Sequence, residues 1–200
     1  MITPNPKSRF IAVMDALQEE AAKEELTLQR VFAIMGEEGH ALLMIFLCLP
    51  FMQPIPIPGL STPLGFLIAA VAVFLFLNRP PWLPKRFEHL KISSEVLIKV
   101  SNVAEKIWGY ASKVVTARLT FLHDFAVFRF INLILVVVYA ILLSLPLPIP
   151  FSNTIPVIGI LLSAIGYMER DGVMILLSYA WCFIVASFFT TLTVGAIKLF

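Results

Sequence analysis

Six polar residues stand in or beside two proline-rich stretches of otherwise apolar sequence, where side chains of this kind can bind a ligand. They are Gln53, Ser61 and Thr62 in the first stretch, and Ser152, Asn153 and Thr154 in the second. Each group lies where a helix would begin. The side chains therefore either cap open backbone amides or help two positively polarised helix ends to form a site for an anion or polar solute. The two interpretations are compatible, and paired broken helices form such sites in transporters.

A second candidate is a group of charges at the ends of the same stretches. Glu169, Arg170 and Asp171 close the second stretch immediately before Gly172, and Arg79 closes the first. Charged side chains next to membrane-spanning sequence are functional candidates. The alternative is an interfacial turn that is held by a local pair between an arginine and a carboxylate.

The composition indicates which solvent surrounds these residues. Hydrophobic residues make up 59% of the chain and charged residues 14%, and the mean hydropathy is +0.90. A backbone that crosses lipid must satisfy its own hydrogen bonds, and the long apolar runs lack the alternation of barrel strands. We therefore predict an all-α integral membrane protein that forms one membrane domain over residues 1–200.

The two proline-rich stretches look like copies of each other. The prolines of the first are Pro54, Pro56 and Pro58, followed by Gly59, and those of the second are Pro146, Pro148 and Pro150, with Pro156 after Thr154. Alternating prolines cannot continue a helix, so each stretch must break there. The sequence therefore predicts two duplicated helical hairpins, at 41–79 and 131–172.

The expected depth of the hairpin tips remains open. An arm of about 13 residues reaches only about 20 Å, whereas the hydrocarbon core is about 30 Å thick. Each tip lies either near the midplane, as a re-entrant loop, or close to the far interface. A re-entrant tip would need protein or a water-filled cavity around it.

The segments around the hairpins complete the predicted architecture. Residues 1–40 carry amphipathic helices, one with Met14, Leu17 and Ala21 on its apolar face and a second one capped by Thr27. The connector 80–130 is basic and is expected to be cytoplasmic, which favours parallel rather than inverted copies. Its amphipathic helix lies either on the anionic inner leaflet or against the N-terminal helix. Residues 173–198 read as a plain transmembrane helix.

Several classes of function lack their signatures. The chain has no Walker loop, no dinucleotide-binding G-x-G-x-x-G, no H-E-x-x-H and no G-x-S-x-G. The three histidines are scattered without metal-ligand spacing, and the two cysteines lie in apolar runs. We therefore expect no enzymatic activity, no metal, no cofactor and no nucleic-acid partner.

Particular motifs resemble a known family. The segment P-I-P-I-P-G-L-S-T-P-L-G, followed by P-W-L-P, is similar to the bacterial ExoD family, as are A-R-L-T-F-L, P-L-P-I-P-F-S-N-T-I-P and E-R-D-G further on. The resemblance covers about Thr27 to Gly172, with Glu38 and Asn78 as departures. It implies an inner-membrane protein that is needed for normal exopolysaccharide output, without implying a known reaction.

The leading hypothesis is a multi-pass protein of the bacterial inner membrane that supports exopolysaccharide synthesis or export. Its paired proline-rich tips would act as a transport-like module. The alternative is a non-transporting scaffold or regulator of polysaccharide-assembly enzymes. The expected partners are membrane lipids, together with polysaccharide-assembly proteins or further copies of the chain.

Overall fold

A computed structural model describes residues 9–52, 59–77, 91–95, 97–98, 102, 115–147 and 149–199. This part of the chain is mostly helical, as predicted. In chain order its elements are α1 (Arg9–Ala21), β1 (Leu26–Thr27), α2 (Leu28–Cys48), a 3-10 turn (Leu49–Phe51), α3 (Ser61–Phe76), β2 (Lys91–Ile92), α4 (Phe121–Asp124), α5 (Ala126–Ser144), α6 (Thr154–Met168) and α7 (Gly172–Leu199).

The N-terminal helices form as their local sequence predicts. Met14, Leu17 and Ala21 of α1 are buried, which confirms the apolar face. The hydroxyl of Thr27 accepts a hydrogen bond from the backbone N–H of Arg30 at 3.3 Å and so caps α2. The helix α2 breaks at Gly36, whose φ is +54°, and its two halves are bent by 112°.

A short antiparallel ribbon joins the N-terminal helices to the connector, and the all-α prediction missed it. Leu26 pairs with Ile92, and Thr27 pairs with Lys91. Nearby, the side-chain amide of Gln18 donates to Asn102 at 3.3 Å. In the described residues the connector therefore contacts the N-terminal helix, which favours the packing alternative there.

The centre of the molecule is built from α2, α3, α5 and α6. The helix α3 packs against α5 and α2 packs against α6, while α2 also packs against α3 and α5 against α6. The interior stripe of α3 contains Gly65, Ile68, Ala72 and Leu75, and that of α6 contains Val157, Ile160 and Ala164. All of these residues are buried, because they repeat at the three- and four-residue spacing of one helix face.

Among the described residues, two helices are long and apolar enough to cross a membrane. They are α5 and the part of α7 from Gly172 to Gly195, and the bent pair in α2 would make a third. The helix α5 begins at Ala126, before the predicted start at 131, and its 19 residues reach about 28 Å. The expectation that every hairpin arm is too short is therefore wrong for α5. The arms α3 and α6 are short, with 16 and 15 residues.

Candidate functional site

The candidate tip residues fall into two sets. Gln53, Pro54, Pro56, Pro58, Pro148 and also Arg79 lie outside the described residues. The structure describes Gly59, Ser61, Thr62, Pro146, Pro150, Ser152, Asn153, Thr154 and Pro156. The geometry of the site is therefore built from the second set.

Two threonines link the hairpins to each other in a reciprocal way. Thr62 Oγ1 at the start of α3 donates to the carbonyl oxygen of Ser144, at the end of α5, at 2.9 Å. Thr154 Oγ1 at the start of α6 donates to the carbonyl oxygen of Phe51, at the end of the first arm, at 3.0 Å. In the predicted alignment of the two segments, Thr62 and Thr154 hold the same position. The starts of α3 and α6 therefore both lie at the end of the bundle where α5 and the 3-10 turn end.

Each tip also turns through one residue in the left-handed region. Gly59 has a φ of +79°, and Phe151 has a φ of +66°. Gly59 precedes Ser61 by two positions, and Phe151 precedes Asn153 by two. Glycine adopts this conformation without strain, whereas a residue with a Cβ such as Phe151 pays about 1–2 kcal/mol.

The helix starts at the tips receive no side-chain cap. Leu60 at the N-cap of α3 and Asn153 at the N-cap of α6 make no capping hydrogen bond. Ser61 is 3% exposed and Asn153 is 5% exposed. Within the described residues, the Asn153 Oδ1 has no hydrogen-bond partner. The capping interpretation is therefore wrong for Asn153, and at the start of α6 the Ile155 N–H instead donates to the carbonyl oxygen of Phe151 at 3.0 Å.

The charge cluster contains a fully buried carboxylate. Asp171 has 0% exposure; its Oδ2 accepts hydrogen bonds from the Arg118 guanidinium and the Thr116 N–H, both at 3.0 Å. Its Oδ1 accepts the Val173 N–H at 2.9 Å, which caps α7. An arginine–carboxylate pair is therefore present, but it is not the local pair that the sequence predicted. Its cation is Arg118 rather than the neighbouring Arg170, whose φ of +53° places it in the turn itself.

The contacts of Asp171 set its protonation state. Burial alone raises the pKa of this carboxyl group. The hydrogen bonds from Thr116, Arg118 and Val173, together with the charge of Arg118, outweigh burial and hold the pKa of Asp171 below its ordinary value of 3.8. Asp171 is therefore ionised at neutral pH and joins residues 115–119 to the turn between α6 and α7.

A buried polar chain crosses from α5 to α7, and the sequence interpretation missed it. Ser163 Oγ lies 3.0 Å from the Asn132 side-chain amide and 2.8 Å from Ser178 Oγ, which lies 3.0 Å from the carbonyl oxygen of Gly159. The Tyr139 hydroxyl donates to the carbonyl oxygen of Ser178 at 2.7 Å. The one available signal was Asn132, a lone amide inside an apolar run.

The number of available hydroxyl protons determines which way the side-chain amide of Asn132 faces. Its three contacts join oxygens that carry two hydroxyl protons between them, so one contact would lack a proton if the amide oxygen of Asn132 faced Ser163. Turning the amide so that its nitrogen faces Ser163 supplies the third proton, and such turns agree equally well with the heavy-atom positions. The chain then runs from Asn132 through Ser163 and Ser178 to Gly159.

In the part of the chain that the structure describes, no group of three or more His, Cys, Asp or Glu side chains could hold a metal ion. The polar groups at the tips are hydroxyls, an amide and open helix ends. Such groups form hydrogen bonds with polar solutes.

Fold and site together define a mostly helical protein with two helices able to cross a membrane and polar groups at the breaks between its apolar helices. The chain belongs to the ExoD family, because the family model described as "Exopolysaccharide synthesis, ExoD" matches residues 10–191. It is 36% identical to Protein ExoD of Rhizobium meliloti over 172 residues, which are 86% of this chain and 72% of that protein. It is also 28% identical to an uncharacterized protein of Synechocystis over 163 residues, 79% of this chain and 76% of that one. No solved structure matches it.

Proposed function

We propose that this protein is a multi-pass protein of the bacterial inner membrane that supports exopolysaccharide synthesis or export by moving a polar solute between its paired hairpin tips. The observation that carries the proposal is the reciprocal pair of hydrogen bonds from Thr62 and Thr154, which brings two uncapped helix starts to one end of the bundle. Membership of the ExoD family supplies the link to exopolysaccharide.

The reciprocity also supports the duplicated hairpins as the structural unit. Matching positions carry the threonine donors and the left-handed tip residues Gly59 and Phe151. Parallel repeats of this kind place equivalent helix ends around one axis, where transporters hold their substrates.

The length of α7 supports re-entrant tips. Trp181 Nε1 donates to the carbonyl oxygen of Ile155 at 2.8 Å, so the start of α6 lies level with the tenth residue of α7. The 28 residues of α7 reach about 42 Å, and the part beyond Trp181 extends about 27 Å past that level. If α7 spans the bilayer, the tip of the second hairpin stops inside it.

The depth of the tips can be measured by labelling single cysteines introduced at Leu60 and Phe151, in a background that lacks Cys48 and Cys182. Leu60 is preferable to Gly59, because a Cβ at the positive φ of Gly59 would strain the turn. We expect membrane-impermeant maleimide to label neither position from either side. Ready labelling of both from the outer side would show complete crossings and contradict re-entrant tips.

Transport can be measured as flux in proteoliposomes that contain the full chain. We expect saccharide flux with the wild type and its loss with Ser61→Ala and with Asn153→Ala, because each removes a polar group from the tips. Ser187→Ala, an exposed serine on α7, serves as the matched control and should keep full flux. Absence of flux in the wild type for saccharides, ions and lipids alike would reject transport and leave the scaffold alternative.

A further inference from the structure

Ser61 and Asn153 occupy the same place in their respective helices. Ser61 continues the buried stripe of Gly65, Ile68 and Ala72 in α3 toward the tip, and Asn153 continues that of Val157, Ile160 and Ala164 in α6. Side chains at three- and four-residue spacing share one helix face. Both polar groups therefore face the interior of the bundle at its tip end.

The contacts of neighbouring residues on α6 also indicate which way the side chain of Asn153 points. Thr154 contacts the first arm through Phe51, and Gly159 lies against the Tyr139 ring of α5. On a helix of 3.6 residues per turn, position 153 lies between these two directions. Its side chain therefore faces the space between the two hairpins.

The chemistry of this space distinguishes an anion from a neutral ligand. Residues 41–78 and 130–168 contain no Lys, Arg, Asp or Glu, so the cations of the two hairpins, Arg79 and Arg170, come only after the second arms and not at the tips. The helix starts at the tips carry no side-chain cap, and Asn153 Oδ1 is a buried acceptor with no partner in the described residues. An anion between the tips would therefore have no adjacent side-chain cation from either hairpin to neutralise it, whereas a neutral ligand needs none.

A hydroxyl group fits because it both donates and accepts. It can donate to Asn153 Oδ1 while it accepts from a helix N-terminal amide or from Ser61 Oγ. The same group pairs with Asn153 if the amide is turned the other way, since it then accepts from the nitrogen. Two such polar positions facing one space favour a ligand with several hydroxyl groups.

We propose that Ser61 and Asn153 form a binding site for the hydroxyl groups of a neutral saccharide unit between the two hairpin tips. This inference rests on the proposed function for the role of the tips and adds the chemical class of the ligand. Binding and movement are separate properties, so each can be tested without the other.

The test is equilibrium dialysis of the full chain in lipid nanodiscs prepared without glycosidic detergents, with radiolabelled glucose and, separately, inorganic phosphate as probes. We expect millimolar glucose binding and no saturable phosphate binding. Ser61→Ala and Asn153→Ala should each weaken glucose binding by about tenfold, the loss that follows when one hydrogen bond is removed. Ser187→Ala should bind glucose as the wild type does.

Asn153→Asp separates the two ligand classes, because a carboxylate still accepts a hydroxyl proton but repels an anion. We expect this variant to keep glucose binding within about threefold of the wild type. The melting temperature of each variant in the same nanodiscs shows whether a loss of binding reflects unfolding.

Three results would overturn the saccharide site: binding of neither probe, saturable phosphate binding that Asn153→Asp abolishes, or glucose binding that all three tip variants leave unchanged in folded protein. Glucose binding without flux would reject transport and keep the site. Flux of another solute without glucose binding would keep the transport proposal and reject the saccharide site.

Discussion

Replacing Asp171 with alanine is expected to lower the free energy of unfolding by about 3–5 kcal/mol, the largest loss from any single side chain at the turn between α6 and α7. The change leaves the N–H groups of Thr116 and Val173 without their acceptor and removes the cap of α7. It also leaves the Arg118 guanidinium without its carboxylate. The measurement is reversible unfolding in mixed micelles, followed by circular dichroism.

Two further variants serve as comparisons for Asp171→Ala. Arg118→Ala should cost only about 1 kcal/mol, because Arg118 is half exposed and Asp171 keeps both of its backbone donors. Asp124→Ala removes an exposed carboxylate at the end of α4 and should change stability little. Equal losses for Asp171→Ala and Asp124→Ala would contradict a structural role for the buried carboxylate.

The pH dependence of this contribution follows from the lowered pKa of Asp171. A carboxyl group whose pKa is lower in the folded than in the unfolded state stabilises the fold fully above its unfolded pKa. The stability difference between wild type and Asp171→Asn should therefore stay constant at neutral and mildly acidic pH. It should shrink only as the pH falls below the ordinary value of 3.8 toward the lowered folded pKa.

Replacing Gly65 with alanine is expected to destabilise the protein by about 1–3 kcal/mol through overpacking. A Cβ at this position would lie 2.7 Å from the carbonyl oxygen of Ala140 and would also meet Ser144 Oγ. The carbonyl belongs to the backbone of α5 and can move only if that helix shifts, which would also disturb the hydrogen bond from Thr62 to Ser144. The same unfolding measurement applies.

Gly195→Ala is the matched control for Gly65→Ala. A Cβ at Gly195 in α7 meets nothing within 4 Å. Alanine should therefore leave stability unchanged or raise it by up to about 1 kcal/mol, because alanine has a higher helix propensity than glycine. If Gly65→Ala were as stable as Gly195→Ala, the close approach of α3 to α5 would be refuted.

Local features of the fold could be read from the sequence. The apolar face of α1 and the Thr27 cap of α2 depend on residues within one helical turn, and both are found as predicted. The start of α5 was placed too late, because Ala126 to Phe130 mix Arg129 with the aromatic Phe128 and Phe130 and resemble an interface rather than a span.

Contacts between residues that are far apart in the sequence could not be predicted in the same way. The partner of Asp171 is Arg118, 53 residues earlier, although Arg170 is adjacent in sequence. The contact of Thr62 with Ser144 spans 82 residues, and that of Thr154 with Phe51 spans 103. The sequence named these threonines as polar residues at helix starts, but only the packing of one hairpin on the other shows that they bind the opposite arm.

The hydrogen bonds between α7 and α6 give the two short helices, α3 and α6, a different exposure. Trp181 and Ser178 fasten α7 to α6 through the carbonyls of Ile155 and Gly159. On α3, the helix in the matching position, Phe66 is 62% exposed, and Leu67 and Val73 are also exposed. The outer side of α3 is therefore apolar and exposed, whereas no residue of α6 is exposed, so lateral access to the bundle is open beside α3 and closed beside α6.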